Sequence, residues 1–292
     1  MLFLPKRKKS RDQYVTPGVI TDLNPSSWEK HRFGLSESRW KNLAKKTILI
    51  TGAGTGYGKS ISIALALAGC EVFLTGRREE KLRETAEEIK TFGTINYKCH
   101  ILPADLTDTS QVKNVVNKIK GETDSLYGLV HCAALATKNN ANPLQSETFE
   151  TWENLFRTNV TAPWFLTREM FPHMVKEKSA RIILFSSGAG WAFTSGFGPY
   201  NVSKAALNNL TVSMAEEFTA SYPNNDIQIN AIQPGEARTE MNQGSKINPF
   251  AVVNMTLLLL SHSENGPNGK FFHRDGRHLE FTDSKPFWYP LN

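Results

Sequence analysis

Hydrophobic and polar positions fall into a repeating order from Lys46 onward. Thr47-Ile48-Leu49-Ile50 is short, apolar and rich in β-formers, the pattern of a buried strand. A glycine-rich stretch follows, and then a helical run from Ser60 to Ala68. Glu71 to Leu74 reads as a second strand and Arg78 to Lys90 as a charged amphipathic helix. Tyr97 to Leu102, Leu126 to Val130, Arg181 to Phe185 and Ile227 to Ile232 are further strand candidates, with helical stretches between them. Strands alternating with helices imply parallel βαβ units with right-handed crossovers. The expected fold class is α/β: a single domain with an open, doubly wound, mostly parallel sheet and helices on both faces. Ligands in such sheets bind at the carboxyl ends of the strands. Neither an internal repeat nor a second-domain boundary is visible.

The ends of the chain depart from this order. Residues 1–45 form an added segment, punctuated by Pro17-Gly18 and Asn24-Pro25, with one short helix expected from Ser36 to Leu43. The repeating body spans 46–277. An aromatic tail, 278–292, carries Phe281, Phe287, Trp288 and Tyr289, and so many aromatics favour burial over disorder. This tail is expected to pack on the body or across a subunit interface, with the amino-terminal segment covering part of the same surface.

Charge and composition narrow the function classes. The first 45 residues hold ten Lys/Arg and four Asp/Glu, a balance of +6 that equals the net charge of the whole chain. The remainder is nearly neutral, which argues against a nucleic-acid binder. The cluster Lys6, Arg7, Lys8, Lys9 and Arg11 reads as a solvated tail or as a contact for an acidic partner. No apolar run reaches the length of a membrane span. Met1 to Leu4 lacks the order of a secretory signal. Cys70, Cys99 and Cys132 share no metal-ligand spacing, so reduced thiols in a cytoplasmic protein and no metal are expected.

Thr51-Gly52-Ala53-Gly54-Thr55-Gly56-Tyr57-Gly58 lies between a predicted strand and a predicted helix. Such a loop lets backbone N–H groups approach a pyrophosphate at a helix N-terminus. Lys59-Ser60 follows without the glycine spacing of a phosphate-binding ATPase loop. Tyr200-Asn201-Val202-Ser203-Lys204 places a phenol and an ammonium on one helical face. A nearby cation stabilises a phenolate. A lone Tyr-x-x-x-Lys is a common accident on helices, but here Ser187 closes a strand 13 residues before Tyr200, and Asn159 stands in Arg157-Thr158-Asn159-Val160.

Together these motifs resemble the short, single-domain branch of the short-chain dehydrogenase/reductase family, across Lys46 to about Arg277. The resemblance implies a Rossmann-type fold and an oxidoreductase that interconverts a carbonyl and an alcohol by hydride transfer. Tyr200 is then the acid/base, and Ser187 hydrogen-bonds the substrate oxygen, with Ser186 as the near alternative. Lys204 lowers the Tyr200 pKa and holds the nicotinamide ribose, and Asn159 supports a water-mediated proton path. The cofactor is expected along Thr51, Gly52, Gly54, Thr55, Gly56, Tyr57 and Gly58. Arg77, Asp105, Leu106, Ala133 and Lys204 join them, as does the segment Asn230 to Thr239, with Pro234, Gly235 and Thr239. Asp105 is read as the adenine-contacting acid or as the N-cap of the helix starting near Thr109. Gly76 stands where an NAD enzyme carries an acid, and Arg77 follows it, which favours NADP. Gly269 and Asp275-Gly276 match the last strand and turn.

One departure is His131-Cys132-Ala133-Ala134 in place of Asn-Asn-Ala-Gly. His131 is read as a hydrogen-bonded core residue and Cys132 as a packed thiol, while Ala134 narrows the space near the cofactor ribose. Trp191, Phe193 and Phe197 are pocket-lining or plain core, and Asn242 to Asn248 is a short connection. The expected partners are a small carbonyl or alcohol substrate and a second copy of the chain, in a homodimer or homotetramer built on the helices that carry Asn159 and Tyr200. The alternatives are an NAD-dependent sugar or alcohol dehydrogenase and a non-catalytic nucleotide-binding scaffold.

Overall fold

β1 (Thr47–Thr51) forms the middle of the sheet because its side chains are apolar on both faces, and Ile48, Leu49 and Ile50 are fully buried. A computed structural model describes residues 24–92, 98–136, 144–191 and 197–279 of the 292-residue chain. Around β1 stand β2 (Glu71–Gly76), β3 (Cys99–Pro103), β4 (Gly128–His131), β5 (Ser179–Phe185), β6 (Asp226–Gln233) and β7 (Phe271–His273). They make one seven-stranded sheet in the order β3-β2-β1-β4-β5-β6-β7, with every neighbouring pair parallel. The order reverses between β1 and β4, and a crevice opens there at the carboxyl ends of the strands.

Two apolar clusters cover the two faces of the sheet. One packs α3 (Gly56–Leu67), α4 (Glu79–Phe92) and α9 (Val253–Leu260) against Ile48, Ile50, Val72 and Leu74. The other packs α5 (Thr109–Glu122), α7 (Ala162–Met174) and α8 (Gly198–Ser221) against Leu49, Phe73, Leu129 and Ile182. Alternate β1 residues therefore serve opposite cores, as the two-residue period of a strand requires. Helix α6 (Phe149–Phe156) leads into α7 through a π-helical turn, Arg157–Thr161.

The residues just before β1 belong to the first core. α1 (Trp28–His31) and α2 (Glu37–Leu43) bracket Phe33, whose ring stacks on Phe250 at 5.8 Å and lies 6.3 Å from Trp40. Asn254 Nδ2 donates to the Phe33 carbonyl at 2.8 Å, and Arg39 donates to the Leu258 carbonyl at 3.2 Å. Ser36 caps α2 by accepting from the Arg39 N–H. Residues 24–45 thus lie on α9 and on the short 3-10 turn before it, Pro249–Val252. At the other end, His278 bridges Phe272 in antiparallel fashion and Leu279 packs on the second cluster. The basic cluster Lys6 to Arg11, Phe193, and the tail aromatics Phe281 to Tyr289 lie outside the described residues.

Helix α3 begins at Gly56, four residues ahead of the run that announces it in the sequence, and so takes in Gly58 and Lys59. Tyr97 also lies outside the described residues, and β3 is traced from Cys99.

Candidate active site

Construction of the site starts at Thr51. Its Oγ1 accepts from the N–H groups of Cys132 and Ala133, both at 3.1 Å, and so joins the ends of β1 and β4 at the mouth of the crevice. Beyond it the glycine loop is confined by backbone. A Cβ on Gly58 would lie 2.2 Å from the Gly52 carbonyl oxygen, and one on Gly52 would lie 2.9 Å from the Ala133 nitrogen. Only glycine permits the chain to fold so tightly, and Gly52 also has φ of +64°. Thr55 is extended and starts α3, whose first-turn N–H groups have no partner within the helix.

The segment after β6 closes against this loop. The Tyr57 hydroxyl donates to the Gly235 carbonyl at 2.9 Å, its ring lies 5.8 Å from that of Phe185, and burial pushes its pKa up to about 12. Gly235 has φ of +65° and rests on Arg274, which donates to the carbonyls of Pro234 (3.2 Å) and Glu236 (2.7 Å). The Thr239 methyl stands over Gly56. At the outer end, Arg78 and the Glu240 carboxylate form a two-pronged ion pair, with bonds of 3.2 and 2.6 Å. Sequence reasoning named Tyr57, Gly235 and Thr239 but not Arg274 or Glu240. Nothing in the local pattern marks these two, because each acts on a residue far away in the chain.

Gly76 ends β2, and Arg77 after it is exposed and enters no ion pair among the described residues. Asp105 accepts from Thr107 N (2.9 Å) and Thr107 Oγ1 (2.7 Å), closing a turn at the edge of the crevice. It is not the helix cap: Asp108 caps α5, accepting from the N–H groups of Ser110 and Gln111. Leu106 packs against the second core cluster.

The Tyr/Lys/Ser/Asn set converges at the carboxyl ends of β4 and β5. Tyr200 and Lys204 share the inner face of α8, with Lys204 Nζ 5.7 Å from the centre of the phenol ring. The Ser187 hydroxyl lies close enough to the phenol to lower its pKa, and it accepts from the Ala189 N–H at 3.1 Å. Ser186 turns the other way, onto Asn208, so the two adjacent serines have separate partners. Burial raises the Tyr200 pKa, and the Ser187 hydroxyl partly opposes this. Lys204 is buried, which lowers its pKa to about 8, and it donates to the Phe185 carbonyl at 2.8 Å. In this arrangement burial holds the phenol in its protonated form, and the hydrogen bond recorded for the ammonium goes to a backbone carbonyl.

Asn159 lies within the π-helical turn, a feature frequent at functional sites. Its amide donates to the Leu135 carbonyl and accepts from the Leu135 N–H, both at 2.8 Å, and donates to Ser203 Oγ at 3.1 Å. Ser203 Oγ donates in turn to the Tyr200 carbonyl at 2.8 Å. A polar chain therefore runs from the loop after β4 to the helix that carries Tyr200. His131 hydrogen-bonds Thr167 on α7 at 2.8 Å, and burial depresses its pKa to about 3. It joins strand to helix and lies in the core. Cys132 is packed beside it, its thiol pKa raised by burial and opposed by the Lys204 charge. Trp191 packs edge-on against Phe271 at 4.7 Å, and Phe197 is part-exposed, 5.9 Å from the Tyr200 ring.

The short chain dehydrogenase family model matches residues 46–249, which span the glycine loop, the Tyr/Lys/Ser/Asn set and the closing segment. The chain belongs to the short-chain dehydrogenase/reductase family. This family member is 28% identical to the 3-oxoacyl-[acyl-carrier-protein] reductase FabG of Aquifex aeolicus, covering 80% of this chain and 97% of that one. It is 32% identical to the oxidoreductase UcpA of Salmonella typhimurium, covering 68% and 72%. Among solved structures it matches the oxidoreductase YciK of Escherichia coli with a TM-score of 0.72 and 25% identity, over 80% of this chain and 97% of that one. The matched segment starts at Lys46, so residues 24–45 and their seat on α9 lie outside it. No helix among the described residues is long and apolar enough to cross a membrane, and none of their His, Cys, Asp and Glu side chains form a group that could hold a metal ion.

Proposed function

We propose that this oxidoreductase interconverts a carbonyl and an alcohol with NADP(H), through Tyr200, Ser187, Lys204 and Asn159. The observation that carries the reading is the buried Tyr200 phenol, with the Ser187 hydroxyl near enough to lower its pKa and Lys204 adjoining it at the carboxyl edge of the sheet. Bare backbone at Gly52 and Gly58, where any Cβ would collide, fits the close approach of a pyrophosphate. At the end of β2, Gly76 offers no carboxylate to a ribose, and exposed Arg77 matches a 2′-phosphate. The cofactor supplies the hydride, and the protein supplies position and electrostatics.

The residues divide the work as follows. The Ser187 hydroxyl fixes the reacting oxygen next to the phenol, and Tyr200 Oη gives that oxygen its proton in the reducing direction or takes it in the oxidising direction. Burial keeps the phenol in its neutral, proton-bearing form, the form that the reducing direction requires. The printed name of the Aquifex aeolicus relative, a reductase, points the same way. Lys204, now bonded to the Phe185 carbonyl, would stabilise negative charge on the phenol oxygen and would hold the nicotinamide ribose when the cofactor is bound. Asn159 is a positioning residue, since both ends of its amide are taken up by Leu135. A homodimer or homotetramer is part of this reading, supported by exposed apolar side chains on the same helices: Phe149 on α6, Trp164 on α7 and Val202 on α8. The free thiols Cys70, Cys99 and Cys132 suit the cytoplasm.

The deciding experiment compares wild type with Tyr200→Phe across a panel of ketones and aldehydes, following NADPH absorbance. Turnover should fall by about 10²–10⁴ while NADPH binding, read by fluorescence, stays within a factor of about two. Equal turnover by the two proteins would overturn the assignment of Tyr200. Absence of turnover in both, with NADPH bound, would favour a nucleotide-binding scaffold.

A further inference from the structure

Three cationic side chains border the outer end of the cofactor groove. Arg77 and Arg78 follow β2, and Lys81 stands against the glycine loop, its Cβ 2.8 Å from where a Gly54 Cβ would be. Lys81 is paired with Glu84 at 2.8 Å. A carboxylate from the other wall of the groove faces this edge: Glu240, next to Thr239, engages Arg78 with both oxygens, at 2.6 and 3.2 Å. The pair joins residues 162 positions apart and spans from the start of α4 to the segment after β6. Arg78 and Lys81 both hold the Glu240 carboxyl below its usual pKa, so it is an anion wherever the enzyme is folded and near neutral pH.

The strength of this pair decides what it can do. Its side chains are 49% and 52% exposed, so water screens it and the bond is weak. A phosphate monoester carries nearly two negative charges near neutral pH and takes a guanidinium through two charge-assisted bonds. A 2′-phosphate arriving at Arg77 would therefore displace Glu240 from Arg78, and the displaced carboxylate would stay close enough to repel it. A plain ribose 2′-hydroxyl offers Arg78 no replacement charge and leaves the pair intact.

We propose that Glu240 is a specificity-determining residue that competes with the ribose 2′-phosphate for Arg78, so that it limits how far this enzyme prefers 2′-phosphorylated over plain adenine nucleotides. The proposal rests on the NADP reading given above. It makes Glu240 the counterweight to Arg77 and Arg78: the arginines create the preference and the carboxylate trims it.

Adenosine 2′,5′-bisphosphate and adenosine 5′-monophosphate isolate the effect from the nicotinamide half. Both are titrated into the full-length protein by calorimetry, for wild type, Glu240→Gln, Arg78→Ala and the double variant, with melting curves to confirm folding. Glu240→Gln should tighten the bisphosphate about five-fold and leave the monophosphate within about two-fold. In the Arg78→Ala background the same change should have less effect, because the contested guanidinium is gone. An unchanged bisphosphate affinity, an equal gain for both nucleotides, or a full gain that persists without Arg78 overturns the proposal. If wild type prefers the bisphosphate and Glu240→Gln leaves the ratio unaltered, this inference alone fails. If neither protein distinguishes the two nucleotides, the NADP reading fails and this inference with it.

Discussion

His131 should make folding stability depend on pH in a way that one substitution removes. The ring is 3% exposed at the end of β4 and hydrogen-bonded to Thr167, and its pKa falls from 6.5 to about 3 because burial penalises the cation. Below about pH 6.5 the unfolded chain binds a proton at this residue that the folded chain refuses until about pH 3. The unfolded state therefore gains proton binding as the pH drops through that window, and folding stability declines with it. The slope is about 1.4 kcal/mol per pH unit for one proton. Between about pH 7.5 and about pH 5 the loss attributable to His131 comes to about 2 kcal/mol. Other groups titrate in the same range, so the measurement is a difference. Urea unfolding of wild type and His131→Asn at a series of pH values gives the two stabilities, and their gap at the upper pH is a fixed offset from lost packing. That gap should shift in favour of the variant by about 2 kcal/mol as the pH is lowered to about 5. A gap that stays constant would show that the ring is protonated in the folded protein, and the core assignment of His131 would fall.

Two further outcomes separate neighbours in the sequence or test the added segment. Ser187→Ala should lower kcat/KM by about a hundredfold with little change in melting. Ser186→Ala should do the reverse, because it strands the buried Asn208 amide at a cost of about 1–3 kcal/mol. Thermal melts with steady-state kinetics read both, and a shared profile would mean the serines have been assigned the wrong way round. Phe33→Ala should destabilise the protein by about 3 kcal/mol, since the ring is 1% exposed between Trp40 and Phe250. An unchanged denaturation midpoint would show that residues 24–45 are dispensable to the core.

Much of the fold was legible because it rests on local pattern. Ile48 to Ile50, Val72 to Leu74 and Ile182 to Phe185 are apolar in runs too short for helices, and the tight glycine turn after β1 writes its steric demand into the sequence. Tyr200 and Lys204 were legible through helical spacing, and Ser187 through its distance from them. Contacts made across the chain left no such trace. Tyr57 reaches Gly235, Arg274 supports the same glycine, and Glu240 takes Arg78, each over scores of residues. Spacing also cannot say where an ammonium points: Lys204 stands beside Tyr200 as expected, yet its bond goes to Phe185. Phe33 was invisible as core for the same reason, since Phe250 and Asn254 lie on α9 and the turn before it.

That last contact bears on the order in which the protein assembles. Phe33 and Asn254 are 221 residues apart, yet the carbonyl of one accepts from the amide of the other. A ribosome delivers Phe33 long before its seat on α9. Phe33 must wait for Phe250 and Asn254 while β1 to β6 are synthesised, and the first core cannot close on that side until residues 250–258 have emerged. Such long-range closure is slow and leaves apolar surface open in the interval. Residues 24–45 are thus made ahead of the sheet yet seated late, and a nascent chain halted before residue 249 would hold Phe33 with neither the Phe250 ring nor the Asn254 amide to receive it.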